Sequence, residues 1–342
     1  MMSKAKRLKD MLNGVSVCNL VICFDGTWNT ENSDPKANEA DTNVLKLHDA
    51  LRVDEPIKTD DGNTELTYAV YIEGPGTAKG NKLSGGLLAA DLDRPVKEGY
   101  RKLVRCMNDC RNTDIDVRIY LFGFSRGAYI CHIFSWLLYR VGVAKSLQDA
   151  DGIVDAFLKK DVDRLDKFSD DSVQESPRIV MMGLWDAVSS QNDIYRGFFN
   201  GLKSPLVDSI FHAMAADERR KLFPVMHYLP EDNVEQMWFS GVHSDVGGGY
   251  ADDKGLSRLS FAWMVDQASA KGLKFKCACP VGNIDYRKVE KTLHHPFGES
   301  LYQVRYYWPF DKIHKSIKER AAKTFYALQL ENFESDGTNW SV

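Results

Sequence analysis

Residues 117–139 read VRIYLFGFSRGAYICHIFSWLLY, and the reading of this stretch decides the fold. An apolar run, Val117 to Phe122, meets Gly123-Phe124-Ser125-Arg126-Gly127 and passes straight into Arg126 to Tyr139, apolar on almost every side. A strand, a sharp turn and a buried helix form the context in which G-x-S-x-G carries chemical meaning. The turn lifts the serine Oγ above the sheet, and Gly123 and Gly127 let the backbone pass close to strand and helix. Behind the serine, the first helical N–H groups and the positive dipole end face a developing oxyanion. Ser125 is therefore read as a nucleophile, with helix N-capping as its bland alternative.

Similar apolar runs recur on both sides. Asn19 to Phe24 ends in Asp25-Gly26-Thr27, and Leu66 to Ile72 ends in Glu73-Gly74-Pro75-Gly76. Arg178 to Leu184 ends in Trp185-Asp186, and Gln236 to Gly241 in Val242-His243. Such runs without polar alternation suit strands buried on both faces of a parallel sheet. Helical patterns lie between and after them, at Asp93 to Asn108, Leu256 to Lys271 and Asp311 to Leu328. The alternation predicts an α/β fold with a mostly parallel central sheet and helices on both faces. In such sheets the ligand sits beyond the carboxyl ends of the strands. We expect one domain over 15–330, preceded by a basic segment, 1–14. Within it, aromatic-rich Ser190 to Asn233 is expected to be an inserted cap and Thr77 to Ala90 a loop.

The 342 residues carry 44 Lys+Arg against 48 Asp+Glu, a net charge of −4, which gives no footprint for nucleic-acid binding. A chain with 44% hydrophobic residues and ordinary Gly and Pro usage is neither disordered nor fibrous. Apolar runs fall short of the roughly 18–20 residues that span a bilayer. Lys4, Lys6, Arg7 and Lys9 precede no apolar core of a Sec signal peptide. A cytoplasmic location is expected, with delivery by a secretion system open. The seven cysteines are expected to be reduced, several of them as buried thiols within apolar runs, and Cys277-Ala-Cys279 makes no zinc pattern.

A serine nucleophile needs a base and an orienting carboxylate, and in α/β hydrolases these follow at later strand ends in the order acid, then His. Asp186 and His243 stand at those places; Asp245 is the rival acid, and His294 and His295 are the rival bases. A purely structural role for Asp245 is to order the Val246-Gly247-Gly248-Gly249 turn. Oxyanion donors are expected from the backbone of Gly26 or Thr27 together with that of Arg126, with Asp25 pinning the loop.

Taken together and in order, FDGTWN, GPGT, GFSRGAY, LWDAV, HAMAADERR and WFSGVHSDVGGGY resemble one family. It is the α/β-hydrolase family whose best-known members are type VI secretion lipase effectors of the Tle1 class. The resemblance runs from about Cys18 to Leu273. It implies a Ser-Asp-His hydrolase and, in the effectors, a phospholipase acting on membrane glycerophospholipids. By motif, the nucleophile is Ser125 in GFSRGA, the acid Asp186 in WDAV and the base His243 in GVHSDVGGG. The expected activity is phospholipase A-like, with no cofactor, an ester or phospholipid substrate and no nucleic-acid partner. Basic residues along Asp311 to Leu328 offer a peripheral membrane contact.

Three other readings stand beside this one. One is an esterase on a non-lipid acyl ester. Another is a metal-dependent phosphoester hydrolase, in which Asp25, Asp186 and Asp245 collect a divalent ion. The third is a non-catalytic binding protein on a hydrolase frame.

Overall fold

In the computed structural model the described residues are 8–27, 39–53, 55–76, 92–168, 172–189, 199–221, 223–250, 255–276, 305, 311–315, 317 and 340–341. After a short helix α1 (Leu8–Met11), every residue of strand β1 (Val17–Phe24) is buried. Strand β2 (Glu39–Thr42) runs into α2 (Asn43–Ala50), whose start is capped by the Thr42 hydroxyl accepting the Leu45 N–H at 3.2 Å. Strands β3 (Ile57–Lys58) and β4 (Thr64–Ile72) lead to α3 (Asp93–Asp109), β5 (Asp116–Phe124) and α4 (Arg126–Val141). Next come β6 (Val143–Ala144), α5 (Leu147–Leu158), α6 (Val162–Leu165) and β7 (Val173–Gln174). The second half holds β8 (Ile179–Trp185), β9 (Ile210–Ala215), β10 (Val234–Phe239), α7 (His243–Gly247) and β11 (Gly248–Tyr250). Helix α8 (Leu256–Ala270) and strands β12 (Lys312–His314) and β13 (Trp340–Ser341) complete it.

Nine strands form one sheet in the order β13-β12-β10-β9-β8-β5-β1-β4-β3. Every neighbouring pair is parallel except β3 with β4. Period-two alternation sends successive side chains to opposite faces, and here both faces are buried. Leu20, Ile22 and Phe24 join a core with Tyr100, Ile130 and Phe134 from α3 and α4. Val21 and Cys23 point the other way, into a core with Val44 and Leu47 of α2 and Leu259 and Met264 of α8. The expected mostly parallel sheet with a helical layer on each face is what forms. Its strands end at one rim, which carries Asp25 after β1, Ser125 after β5, Asp186 after β8 and His243 shortly after β10.

Two expectations need correction. Ser190 to Asn233 is not simply a cap, because Ile210–Ala215 is a fully buried strand hydrogen-bonded between β8 and β10. The six residues IFHAMA carry a single β-branched side chain, and a short apolar run does not reveal its partners by periodicity. At the other end of the chain, Lys312–His314 is a strand beside β10, where a helix was expected from Asp311 onward. The loop Thr77 to Ala90 and most of the stretch to Leu328 lie outside the described residues. Among the described residues, no helix is long and apolar enough to cross a membrane.

Candidate active site

Ser125 occupies φ 57°, ψ −123°, a conformation that L-residues adopt only under strain. Its N–H donates to Trp185 O at 3.0 Å, and its carbonyl accepts from Tyr129 N at 3.3 Å. Ser125 is the N-cap residue of α4, but its side chain makes no capping hydrogen bond to the first turn. Gly127 is required here by close approach. A Cβ on it would lie 2.1 Å from Phe24 O and 2.5 Å from Asp25 O, so the first turn of α4 seats directly on the end of β1.

Asp186 also has positive φ, at 38°, and is completely buried. Its Oδ2 meets His243 Nδ1 at 2.6 Å. A carboxylate only accepts, so Nδ1 carries the proton and Nε2 is left with a lone pair. Arg305 was not anticipated from the sequence. Its Nη1 donates to Asp186 Oδ1 at 2.5 Å and its Nη2 to Oδ2 at 2.9 Å, while Ala215 N donates to Oδ1 at 2.8 Å. Burial works to raise the Asp186 pKa, but Arg305 and then His243 outweigh it and hold the carboxyl below the usual range.

The His243 ring lies between Phe124 and Phe223, with centroids 4.6 and 4.9 Å away. Phe124 precedes Ser125, so the imidazole is packed on the strand that carries the serine. Burial lowers the His243 pKa, and the Asp186 hydrogen bond and charge oppose the shift. The imidazole is therefore neutral at pH 7, as a base must be. Its backbone N–H donates to Glu218 Oε2 at 3.2 Å. Glu218 in turn pairs with Arg220 at 2.7 Å, and the Arg220 guanidinium lies 3.6 Å over the Phe223 ring. Glu218, Arg220 and Phe223 thus form a bracket around the base.

Other site residues hold the rim in shape. Asp25 accepts from Gly26 N at 2.6 Å, Thr42 Oγ1 at 2.7 Å and Tyr71 Oη at 2.5 Å. Burial pushes its pKa up to about 6 against those three bonds. Asp25 thus ties the end of β1 to Thr42 and Tyr71. Because the Gly26 N–H is committed to Asp25, the nearby candidate oxyanion donor is Thr27, whose hydroxyl accepts from Arg126 Nε. Asp245 Oδ2 accepts Val242 N at 3.0 Å and orders the start of α7, while Asp186 takes the imidazole. His294 and His295 lie outside the described residues. His212, expected in the cap, sits on β9; its Nε2 accepts Ala187 N at 3.0 Å, and burial pushes its pKa down to about 3.

The metal reading is not supported by this geometry. Asp25, Asp186 and Asp245 each serve separate partners, and among the described residues the one group of three ligand atoms close enough to share an ion is elsewhere.

Helix α4 behind a strained serine turn, and an acid–histidine pair on the same rim of a parallel sheet, define an α/β-hydrolase-like protein. The chain belongs to the family of type VI secretion system Tle1-like phospholipase effectors, catalytic domain, which matches residues 18–267. Among curated proteins it is similar to uncharacterized protein YEL023C of Saccharomyces cerevisiae. That likeness is 24% identity over 250 residues, covering 64% of this chain and 34% of the yeast protein. Among solved structures, the Tle1 effector bound to the VgrG spike of the type VI secretion system is 19% identical. It has a TM-score of 0.44, with 69% of this chain and 52% of that chain covered. An uncharacterized protein from Pseudomonas aeruginosa is 17% identical with TM-score 0.44, covering 82% of this chain and 50% of its own. The chain therefore spans about a third of its yeast relative and half of those solved chains.

Proposed function

We propose that this protein is a serine acyl-ester hydrolase with phospholipase A-like activity on membrane glycerophospholipids. Ser125, His243 and Asp186 are its triad. The observation that carries the reading is the buried Asp186–His243 pair at 2.6 Å, its ring packed against Phe124 beside the strained Ser125 turn. Family membership supports the lipid substrate and delivery by a secretion system.

In this mechanism His243 Nε2 takes the Ser125 hydroxyl proton as Oγ bonds to the ester carbonyl carbon. The carbonyl oxygen becomes an oxyanion held by the backbone N–H groups of Thr27 and Arg126. Collapse breaks the carbon–oxygen bond to the leaving alcohol, which receives the proton from His243. Water then repeats the sequence on the acyl-enzyme and frees the fatty acid. Asp186 keeps the imidazole in the required tautomer, and no metal is needed.

The test is hydrolysis of short p-nitrophenyl esters and of phosphatidyl lipids, wild type beside Ser125→Ala. A loss of roughly 10⁴-fold or more is expected for the variant, together with loss of fluorophosphonate labelling. Equal rates for both proteins would remove Ser125 from the mechanism. Ester turnover without fatty-acid release from phospholipid would restrict the activity to non-lipid acyl esters.

A further inference from the structure

At the opposite end of β1 from the candidate active site, three cysteines meet. Cys18 on β1, Cys106 on α3 and Cys110 at the end of α3 place their sulfurs within 4.8 Å of one another, and all three residues are buried. The helix brings two of them together. Cys106 and Cys110 are four residues apart, hence on one face, and Cys110 N donates to Cys106 O at 3.0 Å. Cys18 reaches them from the sheet face that α3 covers. At about 3.3 Å per strand residue, this cluster lies some 20 Å from the serine rim.

From this we infer that Cys18, Cys106 and Cys110 form a binding site for a thiophilic cation, with three-coordinate Cu(I) the best match. Three thiolates around one ion at about 2.3 Å lie nearly 4 Å apart, so the sulfurs need only a small contraction. Soft sulfur ligands select Cu(I), zinc and iron–sulfur clusters. Structural zinc takes four ligands, and the group found among the described residues supplies three. The cluster sits at the carboxyl end of a 17-residue helix, where the dipole favours positive charge. Each thiol that coordinates gives its proton to solvent, so binding strengthens as pH rises.

The experiment titrates the purified, reduced full chain anaerobically with Cu(I) against bicinchoninate, with Zn(II) in parallel. One Cu(I) per chain is expected to resist the competitor and to shield Cys18, Cys106 and Cys110 from iodoacetamide, read by peptide mass spectrometry. Cys106→Ser and Cys110→Ser are expected to weaken retention by more than the roughly 10–100-fold that loss of a supporting contact costs. Ester hydrolysis at the distant rim reports that each variant is folded. A Cys277→Ser/Cys279→Ser variant is expected to keep its copper. Loss of the ion to the competitor, retention of Zn(II) alone, copper that follows Cys277 and Cys279, or a disulfide within the trio would each overturn the assignment.

Discussion

The guanidinium of Arg305 grips both oxygens of Asp186 across 119 residues of chain, with Nη1 at 2.5 Å and Nη2 at 2.9 Å. Its remaining bonds go to the carbonyls of Ala215 and Phe223, both at 2.8 Å, so one side chain ties the acid, the end of β9 and the bracket around the base. Removing one partner of a buried ion pair costs about 3–5 kcal/mol because the other is left uncompensated. Arg305→Met is expected to lower unfolding stability by that order and to reduce kcat. Arg305→Lys is expected to rescue little, since a point charge cannot reproduce the fork. Urea unfolding and steady-state kinetics check both. The folded Asp186 pKa lies below its ordinary 3.8, so its stabilisation is complete above that value and lost as pH falls through the depressed one. Without Arg305 the folded pKa rises, and acid unfolding of the variant should begin at higher pH.

Burial lowers the His243 pKa from 6.5 in spite of Asp186. The acid limb of kcat/KM should therefore rise with an apparent pKa under 6.5 and level off through neutrality. An apparent pKa above 6.5 would contradict a buried, neutral base. Asp186→Asn is expected to lose roughly 10⁴-fold in kcat by favouring the wrong tautomer, although the fold persists by circular dichroism.

A Cβ on Gly74 would sit 1.6 Å from Gly26 O and 2.4 Å from Gly26 C. Gly74→Ala must therefore displace the loop that carries Asp25 and Thr27. Overpacking of this kind costs about 1–3 kcal/mol, and a misplacement of about 1 Å costs up to 10²-fold in rate. The expected outcome is a loss of kcat larger than the stability change alone would give, with a stability loss measurable by thermal unfolding.

Glu218 has no exposed side-chain surface and receives the His243 N–H as well as the Arg220 fork. In the proposed mechanism it positions His243 and does not touch substrate. Glu218→Gln should lower kcat by roughly 10- to 100-fold with KM little changed, and should slow fluorophosphonate labelling in parallel. A rise in KM at constant kcat would assign it to substrate binding instead.

Much of the candidate site is legible in the amino-acid sequence alone. G-x-S-x-G between an apolar strand and an apolar helix located Ser125, and strand ends in the right order located Asp186 and His243. Arg305 was not legible, because a lone arginine in LYQVRYYWPF has no spacing that marks its partner. Glu218 and Arg220 lay inside a quoted block, HAMAADERR, without a role, since only the fold sets them against His243. Strand β9 was missed for a related reason: a run of six residues, five of them apolar, reveals burial but not which neighbours bury it.

The linear chain determined whatever depends on near neighbours: the strained elbow, the run lengths that make buried strands, and the helix that follows the serine. Folding alone decided which distant groups share a proton or a charge. That is a matter of sheet order, which brings β8 between β5 and β9 and so sets Asp186 beside residues 57 and 119 positions away. Hydrogen bonds and ion pairs act over a few ångströms of space, whatever the separation along the backbone.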